Sequence, residues 1–446
     1  MKNKIFLLLI SIAVVFASCE RKIDELAVTN GTADFTRFVA VGNSMFAGYA
    51  DGALYHTGQM NSIPNLISGQ LQLAGSGKFV QPVVTSEYGV EFPGSGPKFK
   101  LGYSVDCRGI TSMGPVADIG QKEAVAPVGY LVNNLAIPGA KSFHMLFPGY
   151  AMVNPYYARF ATSSTNRVID EIPALNPTFF SLWLGDNDVL QYALSGGTSV
   201  SDSIPSPGFF QNAMGAVIQA LTANGAKGVI ATIPDVTSIP FFTTIPYNGL
   251  TLTKNQADSI NMAMGLYQLP FTNYHAGAGN PFLIPDPTSA HPYFKVRQMQ
   301  PGELVLMTVP QDSMKCYGMG IIGKLTLVPY PIPKKFILTL EDIDKIKTAT
   351  TSFNAIIKTL ADKDHFNLAL ADMNAKLNEL KKGIIWDGIT LNANFVSGGA
   401  FSLDGIHLNP RGCALTSNYF IDAINAKYGS TVPHVDITKY HGIIFP

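Results

Sequence analysis

A three-layer α/β fold, with helices on both faces of a parallel sheet, is predicted by three features of this sequence. Short β-type runs alternate with helical runs along most of the chain, and strands separated by helices form βαβ units. The strand runs are short and largely apolar, as in Thr-Phe-Phe-Ser-Leu-Trp-Leu at 178–184, which is how strands buried on both faces read. Polar segments rich in Gly follow these runs, at the sheet edge where open α/β sheets bind ligands.

The elements follow in order. Residues 37–41 form a buried strand ending at Gly42. Ile63, Leu66, Ile67 and Leu71 recur at helical spacing, with Pro64 suited to a first turn. Residues 76–120 are rich in Gly and Pro and read as a long surface excursion with short strands. Strands are expected at 130–136, 178–184 and 228–233, the last stopped by Pro234. Phe210, Met214, Val217, Ile218 and Leu221 mark one helix, and Ala257, Ile260, Met264 and Tyr267 mark another. Ile343, Ile346, Phe353, Ile356 and Leu360 trace a third, before a short strand at 367–371. Asn409-Pro410 opens a last helix carrying Cys413, Phe420 and Ile424. Between 270 and 335 the alternation breaks into a stretch rich in Pro, Gly and aromatics. It reads as a lid-like insertion of short strands within one domain spanning 35–446.

The 446 residues include 31 basic and 31 acidic side chains, so the formal net charge is zero. With no basic excess there is no electrostatic drive toward phosphates, which argues against nucleic acid as a partner. Low hydropathy and high net charge, the signature of disorder, are both missing.

The first residues read as an address. Lys2 and Lys4 precede an uncharged stretch at 5–16, too short for a membrane span of roughly 20 residues and suited to a secretory signal. Phe16-Ala17-Ser18-Cys19 resembles a bacterial lipoprotein signal. That resemblance implies a signal peptide at 1–18, lipidation at Cys19 and a polar tether at 19–34. The expected location is then export, with the membrane reached through the N-terminal lipid at the outer membrane or cell surface. Phe16 stands where that motif usually has Leu, and a plain signal cut near Ala17 is the alternative. Of the other cysteines, Cys413 reads as a small buried hydrophobe, leaving Cys107–Cys316 as the one internal pairing to consider. No cysteine pair has zinc spacing and the eight histidines avoid H-x-H and H-x-x-x-H intervals, so neither metal nor cofactor is expected.

Three segments carry chemistry. Gly42-Asn43-Ser44 follows a strand and can present a hydroxyl at the sheet edge, although Phe46 stands where a G-x-S-x-G elbow needs its second Gly. Taken alone, Ser44 reads equally as a helix cap. Gly185-Asp186-Asn187-Asp188 breaks an apolar strand into a polar loop, which alone could be an Asx-rich turn. Asp186 and Asp188 read there as turn-shaping residues. Asp404 and His407 stand three apart around Gly405, close enough for a carboxylate to hold one imidazole nitrogen.

In this order on an α/β pattern, and with Asn134-Leu135-Ala136-Ile137-Pro138-Gly139 as a glycine block, these segments resemble the SGNH (GDSL-type) hydrolase family, whose fold is flavodoxin-like. The resemblance implies Ser44 as nucleophile, His407 as general base and Asp404 as its orienting carboxylate. It implies an oxyanion hole made by the N–H groups of Ser44 and Gly139 and the side-chain amide of Asn187. One lost donor of that kind costs about 10²–10³ in turnover. The chain departs from the family at Asn43, usually Asp, and at Met45, usually Leu. Asn43 keeps the hydrogen-bonding shape of Asp without its charge, so Asn43→Asp is expected to leave activity equal. The implied function is hydrolysis of carboxylic esters through an acyl-serine intermediate, the ester being lipid or short-chain. The alternative is a surface binding lipoprotein on a hydrolase scaffold, since fold alone does not establish activity. The sequence is silent on oligomeric state.

Overall fold

The computed structural model describes residues 27–446. Cys19, the signal segment and the first part of the expected tether lie outside the described residues. The chain is mixed α/β, built on a four-stranded parallel sheet: β1 (Phe38–Gly42), β2 (Phe179–Trp183), β3 (Lys227–Ala231) and β4 (Ala369–Ala371), in that spatial order. Residues of β1 and β2 are buried along their whole length, as strands covered on both sides must be.

The run at 130–136 is not a strand. Instead Asn134 makes a single parallel bridge to Ala40, and the backbone then follows β1 through bonds from Leu135 to Ala40 and from Ile137 to Gly42. This segment lies on the side of β1 away from β2. The connection from β1 therefore runs to one side and that from β2 to the other, and such a reversal of strand order opens a crevice at the C-terminal ends of the strands.

Two sets of helices contact the sheet. α2 (Ile63–Leu73) packs on α7 (Pro410–Tyr428), which also touches β3 and β4. α3 (Asp186–Leu194) and α4 (Pro207–Thr222) pack on α5 (Leu340–Ala361), where Phe210 and Phe353 stack at 4.1 Å. The periodic apolar residues read from the sequence are the buried ones: Phe210, Met214, Val217, Ile218 and Leu221 on α4, for example.

Three further expectations need correction. The tether was expected to run to Asp34, yet the chain is held from Thr29, whose N–H bonds to Thr431 Oγ1 at 2.8 Å, and Ala33 is buried. The helix at 254–266 does not join the main core. Ala257, Ile260 and Met264 pack with Leu283, Val296 and Ile322 in a separate cluster. The insertion thus begins near Leu250–Leu252, because helical spacing reports that a face is buried but not what buries it. The excursion at 76–120 holds a hairpin of two eight-residue strands, Lys98–Val105 with Thr111–Asp118, longer than the short strands expected. A disulfide joins Cys107 at its tip to Cys316 on the insertion helix Gln311–Tyr317, and Cys413 is free and buried. Among the described residues, no helix is long and apolar enough to cross a membrane.

Candidate active site

β1 stops at Gly42, and the next side chain starts a helix. Asn43 is extended and caps α1 (Ser44–Ala47), its Oδ1 accepting the Met45 N–H at 3.0 Å. Ser44 is therefore the first helical residue, and it is held 7 % exposed at the sheet edge.

The partner group arrives from the other end of the chain. An antiparallel bridge between Phe401 and Leu408 closes a turn through Asp404 and Gly405. That turn brings His407 Nε2 within 2.8 Å of Ser44 Oγ, and His407 Nδ1 within 2.8 Å of Asp404 Oδ2. An ionised carboxylate only accepts hydrogen bonds, so Nδ1 carries the proton and donates it, and Nε2 is left to accept from the Ser44 hydroxyl.

Asp404 stays ionised for a visible reason. Burial pushes its pKa up, but the neighbouring His407 imidazole and the hydrogen bonds from His407 and Ile406 outweigh burial and hold it below the ordinary carboxylate range. Its Oδ1 accepts from the N–H of Ile406 and His407 and from Ser402 Oγ; Oδ2 also accepts from the Gly52 N–H at 3.1 Å. Sequence reasoning missed this brace. Asp51 takes part too, accepting from the Leu403 N–H at 2.8 Å while its own N–H donates to Ser402 Oγ. Asp51-Gly52 is a hairpin-turn dipeptide, a signal present in the sequence, but nothing local says that this turn meets Asp404.

Gly139 and Asn187 flank Ser44 from two further loops. Gly139 has a left-handed backbone, φ 79°, that glycine adopts without strain. Gly185 is more constrained: with φ 108°, a Cβ there would lie 2.6 Å from Ile233, and it is the hinge that turns β2 into α3. Asn187, in the first turn of α3, donates one amide hydrogen to the Ala140 carbonyl at 3.0 Å and keeps the other. The N–H groups of Ser44 and Gly139 find no acceptor among the described residues. Ser44, Gly139, Asn187 and His407 all line one cavity.

The two aspartates beside Asn187 have separate environments. Asp188 accepts from both the N–H and the hydroxyl of Ser142, each at 2.7 Å, tying α3 to the segment after Gly139. Burial pushes its carboxyl up to about 6, against these hydrogen bonds. Asp186 receives the Asn43 side-chain N–H on Oδ2 at 3.0 Å, while Oδ1 is buried without a partner. Burial pushes it up to about 7, with the Asn43 hydrogen bond opposing. Among the described residues, no group of three His, Cys, Asp or Glu side chains could hold a metal ion.

These contacts give Asn43 a structural role, so the effect expected of Asn43→Asp falls on stability. The substitution removes the donor to Asp186 and sets two carboxyl groups at hydrogen-bond distance in a buried site, where one proton must be shared. Such a pair has raised folded pKa values, so its stabilising contribution is present at low pH and is lost as pH rises. Asn43→Asp is expected to cost about 1–3 kcal/mol at neutral pH, with the loss in thermal stability growing from about pH 5 to about pH 8. Melting curves across that range check it, and a melting temperature matching the parent's throughout would refute it.

Two cavities meet at Ser44. One, of about 90 Å³, extends past Leu190 and Ile406 between Val236, α6 (Met373–Lys382) and α7. The other, of about 370 Å³, is lined by Tyr88, Phe92 and Gly94 and by Gly139, Tyr156 and Gln191. Neither is lined by any residue between 270 and 335. Residues of the segment at 88–96 line the second cavity, while the insertion reaches the site's turn through backbone hydrogen bonds. Met307 donates its N–H to the Phe241 carbonyl, and Phe241 donates its own to Gly405 in the Asp404–His407 turn.

No protein-family model matches the chain, and no curated protein matches it. Among solved structures, it is similar to a mutant of an acetyl-xylooligosaccharide esterase from Geobacillus Stearmophilus, at 11% identity and a TM-score of 0.36. The similarity covers 88% of this chain and 96% of that one.

Proposed function

We propose that the chain is a serine esterase with a three-layer SGNH (GDSL-type) architecture, exported and lipid-anchored through Cys19. One observation carries the reading: the unbroken relay from Ser44 Oγ to His407 to Asp404, each link 2.8 Å. In this reading His407 Nε2 takes the Ser44 proton as Oγ bonds to the ester carbonyl carbon. The developing oxyanion is met by the N–H groups of Ser44 and Gly139 and the free amide hydrogen of Asn187. His407 then returns the proton to the departing alkoxy oxygen as the carbon–oxygen bond breaks, which leaves acyl-Ser44 and a free alcohol. Water then gives a proton to the same nitrogen as its oxygen bonds to the acyl carbon, and His407 returns that proton to Ser44 Oγ as the carbon–Oγ bond breaks and the acid is released. Asp404 holds the imidazole in the tautomer each step needs and stabilises its charged form.

Export and anchoring are supported by Lys2, Lys4, the apolar stretch at 5–16 and Cys19. The test of the chemistry is covalent. A fluorophosphonate probe is expected to modify the chain at one residue, and peptide mapping is expected to place the adduct on Ser44. A folded chain that stays unmodified would favour a binding protein over an enzyme.

A further inference from the structure

The smaller cavity at Ser44 differs in chemistry from the larger one. Beyond the reacting residues and the buried Asn43–Asp186 pair, its walls are mainly Val236 and Ile239 after β3, Leu377 and Leu380 on α6, and Leu415 and Tyr419 on α7. These side chains offer methyl groups and a ring face to the space. Lys376, also at the wall, is occupied with Glu379 at 2.9 Å and lies over the Tyr419 ring. The larger cavity is lined in part by Leu54, Val90 and Phe92, but it also carries Tyr49, Ser95 and Gln191, which supply hydroxyl and amide groups. An ester has two arms, and at Ser44 the two spaces diverge.

We infer that the apolar cavity takes the acyl arm, and that the preferred substrates are esters of unbranched acids of medium chain length on a polar alcohol. The inference rests on the esterase reading above. An alkyl chain has no group to satisfy hydrogen bonds, and its burial against apolar walls is favourable for each methylene added. The acyl arm also stays bonded to Ser44 Oγ through the second half-reaction, so it belongs in the space enclosed by α6 and α7. The alcohol has to leave and water has to enter, and the larger cavity with its hydroxyl and amide groups suits both. An acetyl group would leave the apolar cavity unfilled.

The experiment uses the purified chain and p-nitrophenyl esters from acetate to dodecanoate, with kcat/KM as the readout. Each methylene placed in the cavity is expected to raise kcat/KM by about fourfold until the space is full. The wild-type ratio of octanoate to acetate should therefore exceed about 100. Leu377→Phe narrows the cavity and should lower that ratio at least tenfold. Leu377→Ala widens it and should move the optimum to a longer chain; the two opposite shifts keep the result apart from a general loss of folding. A second series, acetates of alcohols from ethanol to octanol, tells which arm enters. If Leu377→Phe depresses octyl acetate and spares octanoate, the alcohol occupies the cavity and the inference is overturned. A wild type that labels at Ser44 and cleaves acetate at least as well as octanoate overturns it as well, leaving the esterase reading intact. A folded chain that neither labels nor cleaves any ester overturns both.

Discussion

Ser44→Ala is expected to reduce ester turnover by about 10⁶-fold in kcat, with the fold unchanged. The size follows from what the hydroxyl does and what remains without it. Ser44 Oγ has one protein hydrogen bond, to His407 Nε2, so its loss costs about 1 kcal/mol of stability and leaves no large cavity. The backbone N–H of residue 44 persists in alanine, as do the Gly139 and Asn187 donors, so on the proposed mechanism the variant is expected to bind ester and polarise its carbonyl still. A residual rate of about 10³–10⁴ over water is expected from those donors alone. Purified parent and variant, assayed on p-nitrophenyl butyrate with melting temperature alongside, settle the matter. A variant within tenfold of the parent would remove Ser44 from the chemistry.

Asp404→Asn is expected to lower kcat by about 10⁴-fold, although it changes one atom. The hydrogen bonds around the carboxylate say why. Oδ1 accepts from three donors, Ser402 Oγ and the N–H groups of Ile406 and His407. An amide placed there must keep its oxygen toward those donors, which turns its NH₂ toward His407 Nδ1. Nδ1 then has to accept, the ring proton moves to Nε2, and the nitrogen facing Ser44 becomes a donor that cannot take the hydroxyl proton. The same NH₂ also meets the Gly52 N–H, which now lacks its acceptor, so some loss of stability accompanies the loss of rate. The carboxylate's lowered pKa adds a pH signature: its stabilising contribution is present above the unfolded carboxyl range near 3.9 and is lost as pH falls below it. Asp404→Asn should therefore flatten the acid limb of the stability curve. A kcat loss below tenfold would show that His407 needs no carboxylate to hold its tautomer.

Legibility from sequence divided along physical lines. β1, β2 and β3 were readable because strands buried on both sides must be apolar, and helices α4 and α5 because one buried face imposes a 3.6-residue period. Ser44, Asn187, Asp404 and His407 could be singled out because each stands where an apolar run breaks into Gly and polar residues. Asp51 and Gly52 could not, since their brace on Asp404 is a contact between residues 352 apart. The same limit hid Asp186. Its sequence context is an Asx-rich turn, and only the neighbourhood of Asn43 makes it a buried carboxyl with one oxygen unpartnered.

What the sequence determined by itself is the α/β alternation and the residue types offered at the ends of β1 and β2 and in the Asp404–His407 turn, because local backbone preference and burial period are properties of neighbours in the chain. Tertiary structure alone decided that Ser44 and His407 face each other at 2.8 Å, that the helix at 254–266 serves a satellite core and not the sheet, and that two cavities meet at Ser44. Those are distances between segments far apart in sequence, and packing brings them together only once the whole core has formed.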